Sequence, residues 1–413
     1  MSEKIDYNEL IQADKVHGSV YTSDEIYEDE LEKLFYSSWV FIGHDSEIKK
    51  PGDYITREIG RSSVIMVRGK DNNIKVLVNR CMHRGNMLCN ESKGNKRNFT
   101  CPYHGWVFGL NGDLLDVAYP GGFDKPLDSL NMQSLTVESY RGFIFGCFKE
   151  PTVSFDEYLG NGKQLIDRSC EMSPEGKIDL KAGWIRQRFD ANWKMLPEND
   201  TDGYHVNYVH KSFVMAIDSQ YGEFVGAEDT VKGVIKDWGN GHTEIDFSAG
   251  YVNPLDWLGS TLEKSKTYVD SMRAAYGQEK ADKILFDGPP HACIFPNLFL
   301  GEMNIVIFQP TGTRSAVQWS TPMFLEGAPE LDFKLLRQSE GALGPAAFLL
   351  ADDASIAERA QKALLAGTPW CDLSRGLNRE TKDEDGVITS HMTDEASNRG
   401  FWHHYRSVML GAL

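Results

Sequence analysis

Cys81-x-His83 and Cys101-x-x-His104 each put one thiol and one imidazole on a short stretch, with seventeen residues between His83 and Cys101. Thiolates favour zinc, copper(I) and iron–sulfur clusters, and imidazoles suit zinc and iron. Structural zinc fingers usually run Cys, Cys, His, His with a longer histidine spacing. Here the order is Cys, His, Cys, His, and a glycine follows each histidine closely, as Gly85 and Gly105. Two equivalent loops suit a two-iron cluster in which one iron takes both thiolates and the other both imidazoles. The glycines would let backbone pass close to such a cluster and donate N–H groups to its sulfurs. Zinc on the same four side chains, or four buried residues holding nothing, are the competing readings.

A second group lies in residues 192–210, NWKMLPENDTDGYHVNYVH. Asp202 and His205 are three apart, hence neighbours on one helical face. His210 lies five beyond His205, which an ideal helix rotates by roughly 140°. Both imidazoles meet one ion only if the helix widens or ends between them. On spacing alone, two ordinary core histidines explain the pattern as well.

The first stretch resembles the Rieske [2Fe–2S] signature, C-x-H followed after a spacer of this length by C-x-x-H. Respiratory Rieske proteins carry an extra cysteine in each loop, joined in a disulfide. Asn86 and Tyr103 stand at those places here, so the resemblance is to the disulfide-free ferredoxins and oxygenases of the cytosol. Cys89 fits neither loop and is expected to act as a small buried hydrophobe.

The block Glu198-Asn199-x-x-Asp202-Gly203-Tyr204-His205-x(4)-His210 resembles the D-x-x-H-x(4)-H motif of Rieske non-haem iron oxygenase α subunits, most closely the benzoate and anthranilate branch. In that family an aspartate near a Gly-Pro-Ala turn completes a two-His, one-carboxylate triad. Gly344-Pro345-Ala346-Ala347-Phe348 is followed by Asp352-Asp353, and the family pattern implies Asp353 as the ligand, with Asp352 as the fallback. Such a triad binds Fe(II) and leaves adjacent positions open for O₂.

The resemblance further implies hydroxylation of an aromatic substrate, usually as a cis-dihydrodiol and in some members by single hydroxylation or dealkylation. It implies that Asp202 bridges His205 to His104 of a neighbouring subunit, carrying electrons between the two centres. That geometry implies a ring-shaped trimer, with or without a β subunit. Asn199, Leu343 and Phe348 fall where relatives line the substrate pocket. Electrons would come from NADH through a separate reductase, with or without a ferredoxin. Accordingly, nothing here resembles the nicotinamide or flavin fingerprint G-x-G-x-x-G after a strand. The benzoate-like wording hints at an aromatic acid but points to no basic residue that would pair it. A pure Rieske electron carrier would use the first motif and leave the second idle.

The elements that must position these residues follow from the rest of the chain. At 413 residues, two domains are expected. Residues 24–37 carry a helical pattern with an acidic first turn. From Trp39 to about Pro151 the pattern is β-like: Ser63–Arg68, Ile74–Val78 and Gly142–Phe148 read as strands. Asn111-Gly112 marks a hairpin between Trp106–Phe108 and Leu114–Leu115. Beyond it, 255–287, 331–342 and 345–366 read as helices and Asn304–Phe308 and Ala316–Ser320 as strands, while the acidic 377–397 reads as a solvated loop.

The expected fold is α+β: an N-terminal helical segment (1–37) packing on the larger domain, a small all-β Rieske domain (38–155), and a catalytic domain (156–413) with an antiparallel sheet surrounded by helices. No run of eighteen apolar residues exists, the start MSEKIDYNEL is polar, and the seven cysteines point to metal rather than disulfides. The protein is therefore expected in the cytoplasm. The net charge of −17 argues against nucleic acid and anionic membranes as partners.

Overall fold

The computed structural model describes residues 5–124, 126–212, 232–344, 348–367 and 370–411. The chain divides into two compact units, Phe35–Phe155 and Met1–Leu34 with Asp156–Leu413.

The smaller unit is built of antiparallel sheets. Four strands pair in the order Ile74–Val78, Ser62–Arg68, Asp53–Ile59, Lys93–Asn95. A second sheet joins Thr136–Tyr140, Phe143–Cys147 and Val40–His44, and a third joins Phe99–Thr100, Val107–Phe108 and Leu114–Asp116. The expected hairpin forms at Asn111-Gly112, where Gly112 takes φ +92°, a left-handed conformation that glycine adopts without steric cost. Both Val76 and its neighbour Leu77 are buried, so the strand Ile74–Val78 is covered on two faces and not one. Leu77 joins a core that includes Tyr54, Ile65, Phe99, Trp106 and Phe108, and in the same core lie Cys81, Cys89 and Cys101.

The larger unit is organised on a nine-stranded antiparallel sheet. Its order is Ile185–Phe189, Ser315–Pro322, Asn304–Gly312, Leu298–Leu300, His291–Ile294, Thr243–Asp246, Val234–Asp237, Ile388–His391, Thr381–Lys382. The helices Lys266–Tyr276, Gln278–Asp287, Asp332–Leu343, Phe348–Leu364 and Ala396–Leu410 accompany it. Two expectations need correction. Residues 255–265 hold only a short 3-10 turn, and Gly277 at φ +77° separates the two helices that follow. The acidic stretch 377–397 is no free loop: it supplies the last two strands of the sheet and the start of the final helix. Its Asp394 is buried beneath Arg379, whose Nε and Nη2 both donate to the carboxylate. An acidic composition conceals this because it does not show that Arg379 and Asp394, fifteen residues apart within the stretch, are brought together.

The N-terminal segment is part of this unit. Ser23 Oγ caps the helix Asp24–Glu30, which continues as a π-helical turn over Leu31–Phe35. Glu30 is fully buried. It accepts from Lys194 Nζ (2.5 Å), Trp193 Nε1 (2.9 Å) and the Tyr405 hydroxyl (2.6 Å). Two charges taken out of water are tolerated only when paired and hydrogen-bonded like this. The network ties the first helix to the segment that leads into Asp202 and His205.

Candidate functional site

In the smaller unit the two motif halves form loops with the same internal hydrogen bonds. Cys81 N donates to Asn86 O (2.8 Å) and Gly85 N to Cys81 O (3.0 Å); likewise Cys101 N donates to Trp106 O (2.7 Å) and Gly105 N to Cys101 O (3.0 Å). Gly85 and Gly105 sit at φ +74° and +71°, and no heavy atom crowds either closer than 4.0 Å. Their requirement is thus conformational, and their N–H groups close the loops. The amides aimed at the Cys81 thiol belong to His83 and Arg84. Burial raises the Cys81 pKa, those two N–H groups oppose it, and the adjacent Cys101 thiol adds to it.

The thiols of Cys81 and Cys101 are buried side by side. His83 and His104 lie outward with their Nδ1 atoms 3.1 Å apart. Trp106 stacks on His83 (4.9 Å, 7°) and Tyr103 on His104 (3.8 Å). Two sulfurs within and two facing imidazole nitrogens at the rim fit a cluster with one iron on each pair. Cys89 is set apart, its backbone held by Asn79, whose Oδ1 accepts from Cys89 N and whose Nδ2 donates to Cys89 O. All seven thiols are free, and Asn86 and Tyr103 form no cross-link.

In the larger unit the helix Met195–Asp200 ends at Thr201, and the chain between His205 and His210 is helical for the single turn Val206–Val209. His205 precedes that turn and His210 ends it with φ −95°, ψ 29°. The helix therefore ends between the two imidazoles, the condition their spacing imposed. Asp202 and His205 meet for a different reason than a shared helical face. Asp202 Oδ1 accepts from Tyr204 N (2.6 Å), an Asx turn that swings Oδ2 to 3.3 Å from His205 Nδ1. Gly203 lies against Met392 so closely that a Cβ would sit 2.4 Å from its carbonyl oxygen.

His205 Nε2 and His210 Nε2 are 3.2 Å apart, and Asp353 Oδ1 lies 3.1 Å from the second and 3.6 Å from the first. Among the described residues Asp353 Oδ1 makes no aligned hydrogen bond. Two imidazole nitrogens and a carboxylate oxygen, lone-pair donors that all lie within 4.8 Å of one another, fit a divalent ion bound between them. Asp352 is placed differently: its Oδ2 is 3.9 Å from His210 Nδ1, the nitrogen on the far side of the ring, and it is more exposed. Burial would lower the His205 pKa, but the carboxylates of Asp202, Asp353 and Asp200 outweigh it and the net shift is upward. Asn199 reaches the same group, its Nδ2 3.4 Å from His205 Nε2. The helices Asp332–Leu343 and Phe348–Leu364 end and begin at Leu343 and Phe348, whose side chains lie outside the described residues, as do Pro345 to Ala347.

Sequence reasoning left several neighbours unnoticed. Glu198 accepts from Trp402 Nε1 (2.5 Å) and from the Tyr21 hydroxyl (2.8 Å). Burial pushes its carboxyl up to about 7, against those two hydrogen bonds and the Lys194 charge. His291 bonds the Asp200 carbonyl through Nε2 (2.9 Å) and faces Glu302 through Nδ1 (3.3 Å).

Comparison with known proteins decides the family. Residues 38–131 match the Rieske [2Fe-2S] domain and residues 171–411 the catalytic domain of the ring hydroxylating alpha subunit. The chain belongs to the ring-hydroxylating oxygenase α subunits. It is 29% identical to the large subunit of 2-halobenzoate 1,2-dioxygenase from Burkholderia cepacia, covering 89% of this chain and 82% of that one. It is 30% identical to toluate 1,2-dioxygenase subunit alpha of Pseudomonas putida, over 72% and 68% of the two chains. A crystal structure of a naphthalene 1,2-dioxygenase mutant bound to phenanthrene superposes with a TM-score of 0.86 at 26% identity, covering 98% of this chain and 95% of that one.

Ring-hydroxylating α subunits are the terminal oxygenases of multicomponent systems and carry a Rieske cluster and a mononuclear non-haem iron. They work in multimers and receive electrons from separate reductase or ferredoxin proteins. This member has the family's α+β fold. Among its described residues no helix is long and apolar enough to cross a membrane.

Proposed function

We propose that this chain dihydroxylates an aromatic ring with O₂, using two metal centres of assigned ligands. Cys81, His83, Cys101 and His104 hold the [2Fe–2S] cluster in the domain 38–155. His205, His210 and Asp353 hold the mononuclear iron in the domain 156–413, to which the segment 1–37 belongs. The observation that carries this reading is the convergence of His205 Nε2, His210 Nε2 and Asp353 Oδ1. When bound, the cluster supplies electrons one at a time and the iron supplies a place for O₂ to react beside the ring.

The residues of the chain do the remainder. Three protein ligands leave iron positions free, as a working site needs. Asn199 stands at the edge of that opening. Asp202 orients His205 from the Nδ1 side, which fixes which nitrogen faces the metal. The Asp202 side chain is 21% exposed, and its second role is to receive His104 of the partner subunit, making the electron path. An open polar hollow of about 700 Å³ adjoins the next residue but one, lined by Tyr204, Arg375, Arg379 and Glu395, and supports an approach from that side. The assembly this requires is a trimer, with or without a β subunit, and the compartment is the cytoplasm.

Single turnover with ¹⁸O₂ tests the reading. The holoprotein is reduced chemically, mixed with a panel of aromatics that includes phenol, aniline, benzoate, toluene and naphthalene, and the product mass is read. Two ¹⁸O atoms in one product are expected. One atom would make the enzyme a monooxygenase, and no product from any aromatic would leave an electron carrier.

A further inference from the structure

Asp200 is a half-buried acid, and one of its carboxylate oxygens has no structural employment. It closes the helix Met195–Asp200 at its C-terminal end, where the helix dipole disfavours a negative charge. Its Oδ2 is buried and, among the described residues, has no hydrogen-bond partner. Buried polar atoms are normally satisfied, so an orphan of this kind calls for an explanation. The imidazole next to it is already used: His291 bonds the main-chain carbonyl of Asp200 and faces Glu302 with its other nitrogen.

The surroundings place this carboxylate at the active site. The charges that act on it are those of Asp353, His291 and His205, and it acts in turn on Cys293 of the strand His291–Ile294. Asn199, its neighbour, already touches the metal-facing nitrogen of His205.

We propose that Asp200 is a specificity-determining residue whose carboxylate accepts a hydrogen bond from an N–H or O–H substituent on the substrate ring. The inference rests on the iron site assigned above and narrows its substrate class to amino- or hydroxy-substituted aromatics. An unsubstituted methyl in that place leaves Oδ2 dry and unpaired, and a site built to bond a substrate donor rejects the analogue that lacks it. A ring carboxylate alone brings like charge to Asp200 and gains no partner.

Calorimetric titration of the oxidised, metal-loaded enzyme with phenol, aniline, toluene and benzoate reads this directly and needs no turnover. Phenol and aniline should bind about 10-fold or more tighter than toluene, the difference one hydrogen bond to a charged group makes. Benzoate should bind no tighter than toluene. Asp200→Ala should bring phenol and aniline down to the toluene level. Asp200→Asn, which keeps an acceptor oxygen and loses the charge, should retain part of the preference and admit benzoate. Iron content and the reduced Rieske EPR signal serve as checks that both variants fold. Equal affinity of the wild-type enzyme for toluene and phenol would overturn the proposal, as would an unchanged preference in Asp200→Ala. Selective binding with no oxygenated product when the same four compounds are carried through the ¹⁸O₂ single turnover would overturn the oxygenase reading and leave the role of Asp200 in place.

Discussion

His205 and His210 stand five residues apart, yet their Nε2 atoms lie 3.2 Å from each other, because the helix between them is the single turn Val206–Val209. A longer helix would carry the two rings to different faces. The turn is kept short at its entry by the Asx turn of Asp202 and the close contact of Gly203 with Met392.

The cluster ligands separate cleanly from the nearby spare thiol. His83→Ala should abolish or alter the reduced Rieske EPR signal, since it removes one of the two facing imidazoles. Cys89→Ser should leave the signal intact, because Cys89 sits in the core beside Tyr54 and not between the loops. A lost signal in Cys89→Ser with a normal one in His83→Ala would reverse the ligand assignment.

Asp202→Asn keeps the shape of the side chain and weakens its charge-assisted contacts, which are roughly twice as strong as neutral ones. Iron should still bind, since Asp202 is not a ligand. Losing such a supporting partner ordinarily costs roughly 10–100-fold in activity; here the loss should exceed that range. The pre-reduced variant should fail to reoxidise its Rieske cluster on rapid mixing with substrate and O₂. Reoxidation at the wild-type rate would remove the bridge from the electron path.

Acid should loosen the larger unit through His242. Its Nε2–H donates to Tyr158 O (2.8 Å) and its Nδ1 accepts from Phe295 N (3.1 Å), so the imidazole is held neutral. Burial lowers its pKa to about 4, and burial with the nearby His242 lowers His404 to about 3. A depressed histidine pKa means the unfolded chain binds the proton first. Stability is thus full above about pH 6.5 and falls as pH drops toward 4, by about 3 kcal/mol for His242 at the lower end. Melting temperature measured from pH 7 to 4.5 should fall, and His242→Gln should flatten part of that slope. A flat wild-type profile would contradict the account.

What could be read beforehand follows the range of each interaction. The two metal motifs, the Asn111-Gly112 turn and strands such as Ser62–Arg68 depend on near neighbours, and their residues announce them. The Glu30–Lys194 pair and the Arg379–Asp394 clamp join residues that patterning treats as surface charges. Only the pairing lets Glu30, Lys194 and Asp394 be buried. The Asp202 to His205 contact was foreseen with the wrong cause, since spacing by three suits a helix and a turn equally. Asp200 escaped notice because its significance lies in what it fails to bond.

The most direct measurement is single turnover of Asp353→Ala alongside the wild-type holoprotein, with iron content and Rieske EPR recorded on the same samples. Asp353 contributes the one carboxylate oxygen that faces both metal-side imidazole nitrogens. The account predicts an unchanged Rieske signal, loss of the mononuclear iron, and no oxygenated product. A variant that keeps that iron and forms product at the wild-type level would contradict it and move the third ligand to Asp352.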